Sequence, residues 1–247
     1  VEGQGFYQKR CPSHAPSWIR THRAPSGEAG HGAGAKESIE YILADEVATL
    51  IWLANHNAIE LHPWLATADR PDYPLATVID IDPMPPTGFT EARRTAFRIK
   101  ELLDSLGLQG FPKLSGATGI HIYIPLDGKT TFRRSRAFAQ WVADFLATHF
   151  PKEITNVRAV RRRGPRVYID PLQNLPHKTI VAPYSPRALP VGSVSAPVTW
   201  EELADATPDE FTLKSMPRRL KQVGDLFQPV LQLRQTLPDP ARLPVRL

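Results

Sequence analysis

Val78-Ile79-Asp80-Ile81-Asp82-Pro83 decides how the chain is read. Two carboxylates stand two residues apart inside an apolar run that predicts a strand. Side chains alternate across a strand, so Asp80 and Asp82 share one face with Val78, and Ile79 and Ile81 take the other. Adjacent negative charges repel, and a half-buried strand is a costly place to leave them unpaired. A divalent cation bound by both resolves the two problems together. The competing reading is a surface strand with two solvated acids, or a loop of capping aspartates, since short acidic patterns recur by chance.

The pattern around this strand is regular. Residues 75–82 read as the strand itself and 90–106 as a helix, with Ala92, Ala96, Ile99, Leu103 and Leu106 on one stripe. Gly107 and Gly110 end it. Strands at 111–114 and 120–125 flank Ser115-Gly116-Ala117-Thr118-Gly119, and a second helix covers 134–150. Strands at 154–160 and 167–170 are separated by Arg161-Arg162-Arg163-Gly164-Pro165, read as a hairpin. The order is β-α-β-β-α-β plus one strand, the split βαβ plan of ferredoxin-like sheets. Polymerase palms and RNA-binding modules share it, so the plan alone assigns no function. With a hairpin at 161–165, the Asp170 arm would run parallel to the Asp80 strand and end near its acids.

The flanks are less regular. Residues 1–36 read as irregular, with a loop at 28–35, yet Phe6-Tyr7-Gln8-Lys9-Arg10 sets two aromatics beside two cations, a pattern suited to stacking on bases and holding phosphates. A helix capped by Asp45 carries Val47, Leu50, Ile51 and Ala54 at helical spacing. A short strand at 58–64 contains His62, a candidate ligand or phosphate contact whose default reading is structural. After Asp170 come a loop at 171–174, a strand at 178–184 leading to Arg187, helices at 200–203 (capped by Thr199) and 213–224, and an extended tail from Leu237.

Composition narrows the class. A chain of 247 residues, 42% hydrophobic and 22% charged, can bury a full core. It has 25 prolines, so long connections are expected. No apolar run approaches the ~20 residues that span a bilayer, which argues against a membrane partner. The start is polar, with no signal peptide, and the single Cys11 excludes an internal disulfide or a cysteine zinc cluster; a reducing, cytoplasmic compartment fits. Net charge is +5, and from Arg158 to Arg187 seven Lys and Arg residues surround one acid, Asp170. Such a balance favours a polyanionic partner.

The glycine loop and His121 suit an anion. Glycines let backbone N–H groups approach closely, and hydroxyls add donors; an unliganded hairpin turn is the alternative. Three carboxylates, an anion loop and a basic segment ending in Arg187 are the parts that two-metal phosphoryl transfer needs. No Walker-type lysine loop is present.

Ile79-Asp80-Ile81-Asp82-Pro83, Ser115 to His121, Ile169-Asp170 with Gln173-Asn174, and Lys178 through Arg187 resemble the three motifs of the archaeo-eukaryotic primase superfamily. More closely, they resemble the polymerase domain of bacterial ligase D, which acts in non-homologous end joining. The resemblance runs from Phe6 to about Leu220. It implies an α+β primase-polymerase fold, with a central βαββαβ sheet of RRM or ferredoxin-like type carrying the metal site and an irregular N-terminal portion packed beside it. The whole chain, 1–247, would be that domain, with 75–187 as catalytic core. It further implies that Asp80, Asp82 and Asp170 hold two Mn2+ or Mg2+ ions. His62, Ser115, His121, Gln173 and Arg187 would contact an NTP or dNTP. Phe6, Tyr7, Lys9 and Arg163 would face DNA. The partners implied are DNA with gaps, overhangs or 5′-phosphorylated ends, together with Ku and a DNA ligase, in a nucleoid-associated setting. Thr118 stands in the nucleotide-binding loop where some relatives carry lysine. Val1-Glu2-Gly3 resembles the middle of the family's domain, so its N-terminal segment is expected to be missing here. A metal-dependent nuclease or topoisomerase-type hydrolase, with Glu60 as a further acid, and a non-catalytic nucleic-acid-binding module are the alternatives.

Overall fold

The computed structural model describes residues 5–25 and 38–243. Strands β1 (Thr21–Pro25) and β2 (Ser38–Ile42) form a small antiparallel sheet, followed by helix α1 (Val47–Asn55). The main sheet then begins with β3 (Ala76–Asp82) and continues through α2 (Phe89–Ser105), β4 (Phe111–Leu114), β5 (Ile120–Pro125), α3 (Phe132–His149), β6 (Ile154–Thr155) and β7 (Val167–Asp170). Short helices α4 (Trp200–Asp205), α5 (Met216–Val223) and α6 (Gln228–Gln232) complete the chain. No helix among the described residues is long and apolar enough to cross a membrane.

The main sheet has the order β4-β5-β3-β7-β6, with β3 at its centre. Its helix-facing side carries Ile79, Ile81, Leu114, Ile120, Ile122, Ile124, Val167 and Ile169 against Ala92, Ala96, Ile99 and Leu103 of α2 and Phe138, Ala139, Val142 and Leu146 of α3. A smaller apolar cluster on the other side joins Val78 and Tyr123 to Ile180 and Val230. Local signals agree with these elements. The Glu91 carboxylate accepts the Gly88 N–H at 2.8 Å at the start of α2, and Thr131 caps α3 by accepting from Arg134 N. Gly107, at φ +68°, supplies the left-handed turn that stops α2.

The edges differ from expectation. β7 is antiparallel to β3, not parallel, and β6 runs parallel to β7 as an added edge strand, so residues 161–165 form a crossover and not a hairpin. The expected strand 154–160 stops at Thr155. Beyond it, arginines claim the main chain: Arg163 donates to the carbonyls of Val157 and Arg158, and Arg166 to those of Arg163, Arg162 and Pro151. These contacts fold the segment back on itself, and a 3-10 turn at Val160–Arg162 stands where the strand was expected.

The expected strands 58–64 and 178–184 do lie side by side, through Ile180 N to Pro63 O and Ala182 N to Leu61 O. Prolines 63 and 183 lack the donors to extend this contact, and only the Trp64–Thr179 bridge forms. Asp45 does not cap α1; it pairs with Arg20 at 2.5 Å, and Glu46 stands at the cap position. The stretch read as irregular contains β1, whereas the 28–35 loop and Val1-Glu2-Gly3 lie outside the described residues. The tail holds a 3-10 turn, Pro240–Arg242, where an extended run was expected.

Candidate active site

Strand register builds one row of chemistry across four strands. Lys113 of β4 is opposite His121 of β5, His121 is opposite Asp80 of β3, and Asp80 is opposite Asp170 of β7. Residues in register share a face, and this face is the one turned away from α2 and α3. Asp82 lies one pleat further along it, opposite Tyr168.

The row is buried. Asp80 and His121 are each 5% exposed and Lys113 is fully enclosed. Burial pushes the Asp80 carboxyl well above the ordinary range, and Asp82 and Asp170 add to the rise; a Gln173 hydrogen bond and Lys113 act against it. Asp82 is raised as well, by burial and then by Asp170, with Arg163 opposing. Burial lowers Lys113 to about 7, against the pull of Asp80 and with the push of Arg187. His121 is driven well below its usual value by burial and by Lys113, Arg187 and His62, so its ring is neutral at neutral pH. His121 Nε2 lies 3.4 Å from Asp80 Oδ1 without hydrogen-bond alignment, and Asp80 Oδ1 and His121 Nδ1 have no hydrogen-bond partner.

The glycine loop closes over this row. A Cβ on Gly119 would sit 2.7 Å from the Ile81 carbonyl and 3.3 Å from Asp82 Oδ1, so only glycine lets the loop press on the acid strand. Gly116, at φ +75°, leaves room for the Arg187 stem, whose Cγ would be 2.7 Å from an added Cβ. The loop's own donors turn inward: Ser115 Oγ accepts from Ala117 N and Gly119 N at 3.2 and 3.0 Å. Thr118 is exposed at the tip.

Arg187 reaches the loop through Nη1 to Ser115 O, at 2.5 Å. Glu60 binds on its other side, with Oε2 3.1 Å from Arg187 Nε and 3.0 Å from His62 Nε2. The Arg187 Nε–H is not aimed along the first contact, which is an ion pair and leaves that buried donor without a hydrogen bond. Tyr7 stands edge-on to His62 at 5.7 Å and bonds Thr179 through its hydroxyl. Lys9 lies 5.8 Å from the Tyr7 ring, and Phe6, 85% exposed, projects beside it.

On the β7 side, Asp170 Oδ1 accepts from Leu172 N at 2.9 Å and from the Tyr168 hydroxyl at 3.2 Å. The Arg163 guanidinium carbon lies over the Tyr168 ring, 3.5 Å from its centre. The turn Pro171–Asn174 that carries Gln173 is pinned to β3 by Asn174, which accepts from Val78 N at 2.8 Å and donates to Val78 O at 2.7 Å.

The sequence-predicted residues thus fall into one neighbourhood, with Asp80, Asp82, Asp170, His121, Ser115, Gln173, Arg187, His62 and Tyr7 linked by register or contact. Phe6, Lys9, Thr118 and Arg163 rim it. Sequence reasoning missed three supports: Lys113, Glu60 as the partner of Arg187 and His62, and Asn174. Lys113 had a visible signal, a lysine inside a short apolar strand two residues before the glycine loop. Among the described residues, no three His, Cys, Asp or Glu side chains form a ready-made metal cage. Asp170 is instead turned onto local donors, as expected for acids that repel. The donor set nevertheless fits hard divalent cations: oxygen ligands from several acids, one of which, Asp80 Oδ1, is buried without a partner.

Acids at the centre of a mixed sheet, with a buried lysine and histidine beside them, define a mixed α/β domain. A family model for the LigD primase-polymerase domain matches residues 1–227. The chain is 35% identical over 227 residues to the bifunctional non-homologous end joining protein LigD of Bacillus subtilis, covering 91% of this chain and 35% of that protein. It is 30% identical over 232 residues to the multifunctional LigD of Mycolicibacterium smegmatis, covering 93% and 29% respectively. It therefore spans about a third of the length of these curated relatives. Its structure is similar to the polymerase domain of Mycobacterium tuberculosis ligase D in complex with DNA, with a TM-score of 0.79, 28% identity, and coverage of 97% of this chain and 80% of that one. The chain belongs to the LigD primase-polymerase domain family. It is accordingly an enzyme of the nucleotidyltransferase class.

Proposed function

We propose that this chain adds ribo- or deoxyribonucleotides to primer 3′ ends at gaps, overhangs and 5′-phosphorylated breaks in DNA, in non-homologous end joining alongside Ku and a ligase. The observation that carries the reading is a coincidence of unmet groups. Asp80 Oδ1 and His121 Nδ1 are both buried without hydrogen-bond partners, and both belong to the one cluster. Buried polar atoms in folded proteins are nearly always satisfied, so two on neighbouring strands mark a place where a ligand completes the bonding.

Residues 75–187 form the catalytic core in this reading, on a primase-polymerase plan. Asp80, Asp82 and Asp170 would hold two divalent cations, manganese or magnesium, which supply activation of the primer hydroxyl and charge neutralisation at the leaving oxygen. Arg187 and His62 face the triphosphate, where a planar guanidinium suits paired phosphate oxygens. Neutral His121 donates or accepts without adding charge beside Asp80. The Ser115 hydroxyl still has its own proton to donate, because its bonds from Ala117 and Gly119 use only lone pairs. Gln173 orients Asp80, and Thr118 borders the phosphates. Phe6 and Tyr7 offer stacking faces to DNA bases, while Lys9 and Arg163 meet its backbone. Glu60, which a nuclease would use as a further ligand, is committed to Arg187, His62 and the Ala188 N–H.

The test is nucleotide addition to a gapped duplex with manganese. D80A and D82A should each lower the rate about a hundredfold to a thousandfold, in line with the loss of transition-state charge stabilisation. Unchanged addition by both variants would remove the metal assignment. Shortening of labelled DNA by the wild-type chain without nucleotides would favour the nuclease instead.

A further inference from the structure

We infer that Glu60 is a positioning residue whose one carboxylate sets Arg187 and His62 relative to each other, so that both meet the incoming nucleotide pre-aligned. The inference rests on the nucleotide-site reading and extends it to a residue outside the motif set. Three groups converge on this side chain from two segments far apart in sequence. Oε1 accepts the Ala188 N–H at 2.9 Å, and Oε2 takes His62 Nε2 at 3.0 Å and Arg187 Nε at 3.1 Å. Burial works to raise the Glu60 carboxyl, but the Ala188 N–H, His62 and Arg187 together hold it below the usual range. The group is therefore a carboxylate at neutral pH.

Charge and geometry explain why an acid stands here. Arg187 and Lys113 crowd one region, and a carboxylate against Arg187 offsets the repulsion between the two cations before an anionic nucleotide arrives. Among the described residues, the remainder of the Arg187 guanidinium is fixed only through Nη1 to Ser115 O. Without Glu60 the head would pivot about that single bond. His62 in turn has its ring plane set by Glu60 on one side and the Tyr7 edge on the other. Pre-alignment of this kind lowers the ordering cost of binding.

A purely architectural role is separable, because other bonds already join the two segments. Leu61 N donates to Ser185 Oγ at 2.9 Å and Ala182 N to Leu61 O at 2.8 Å, neither through Glu60.

The experiment compares E60A, E60Q and H62A/R187A, with and without E60A added, by equilibrium binding of a fluorescent ribonucleoside triphosphate and by steady-state addition to a gapped duplex. E60A should raise nucleotide Kd and KM about tenfold, more than it lowers kcat, as expected for a lost charge-assisted bond. E60Q keeps an acceptor for Ala188 and should fall between E60A and wild type. Adding E60A to H62A/R187A should change nothing further, because the residues through which Glu60 acts are gone. The inference is overturned if E60A binds nucleotide as wild type does, if E60A costs the same tenfold in the H62A/R187A background, or if the loss merely follows a drop in Tm. A D80A chain that still adds nucleotides would instead defeat the catalytic reading, and the binding assay reports on Glu60 independently of it.

Discussion

The two faces of the central sheet share the same strands and the same backbone bonds, yet follow opposite rules. On β3, Ile79 and Ile81 are fully enclosed against α2 and α3, in a layer made of aliphatic and aromatic side chains. One residue away, Asp80 is almost as deeply buried, among Lys113, His121 and two further acids. The helix face gains stability from each side chain it removes from water. The opposite face loses stability from each charge it buries and leaves Asp80 Oδ1 and His121 Nδ1 without a partner. The lesson is that depth does not distinguish a core from a site in this molecule; satisfaction of the buried groups does.

Moving a charge between the faces tests this most severely. I79D places a carboxylate in the helix-facing layer, with no cation near it. It should destabilise the fold by more than about 4 kcal/mol, beyond what most domains of this size tolerate. Loss of a cooperative thermal transition, or loss of soluble protein, is the expected result. A well-folded I79D chain would mean that the helix face admits water and that the two faces are not distinct.

The opposite change, one residue on, should stabilise. D80N keeps the shape and removes a buried charge, so Tm in EDTA should rise by a few degrees, equivalent to about 1–2 kcal/mol, while nucleotide addition falls by about a hundredfold. The pH dependence follows from the raised Asp80 carboxyl. Between the unfolded value near 3.8 and the higher folded one, the folded state holds a proton that the unfolded state has released, so stability falls as pH rises through that window. Above it the full cost persists. D80N should remove that slope, and thermal melts from pH 4 to 8 would show it. A lower Tm for D80N at pH 8 would mean that Asp80 is paired and not strained.

How much of this was legible beforehand depended on periodicity. The alternation in β3 and the stripes of α2 and α3 announce themselves, because burial of one face demands a period of two or of 3.6. Hence the acid face, the glycine loop and the order of the elements could be read directly. What could not be read is which strand neighbours which. The direction of β7 turned on whether the run from Arg161 to Pro165 is a hairpin; there Arg163 and Arg166 fold back onto nearby carbonyls, a local arrangement that periodicity does not announce. The apolar stripe of α1 misleads in the same way: Val47 and Ile51 are 71% and 57% exposed, and Thr49 is the buried residue. Glu60 was hidden because its partners Arg187 and Ala188 lie far along the chain. Lys113 was hidden because a lysine in a strand is ordinarily taken to face water, and only the pairing of β4 with β5 puts it beside His121.

Lys113 permits the finest test, since among the described residues it is the one cation enclosed within the acid face. K113M conserves most of its volume and removes its charge and its hydrogen bond to Ser195 Oγ. The lysine's folded value of about 7 lies below its unfolded value of 10.5. Between the two, the unfolded chain binds a proton that the folded chain has released, so the wild type gains stability as pH rises through that range. Below it the full cost of the buried ammonium is present. The methionine variant should therefore be the more stable form at pH 6, lose that advantage progressively as pH climbs from about 7 toward 10.5, and fall behind only above about pH 10, by about 1 kcal/mol, the worth of the lost bond. The crossing of the two stability curves, measured by urea unfolding in EDTA, is the readout. Parallel curves would show that Lys113 does not change its protonation on folding, and the acid face would then contain a fixed positive charge. Because Lys113 also helps to hold Asp80 down, the acid limb of nucleotide addition should move to higher pH in the same variant. An unmoved limb would mean that Lys113 serves the packing of β4 alone, and that the contrast between the two faces ends at His121.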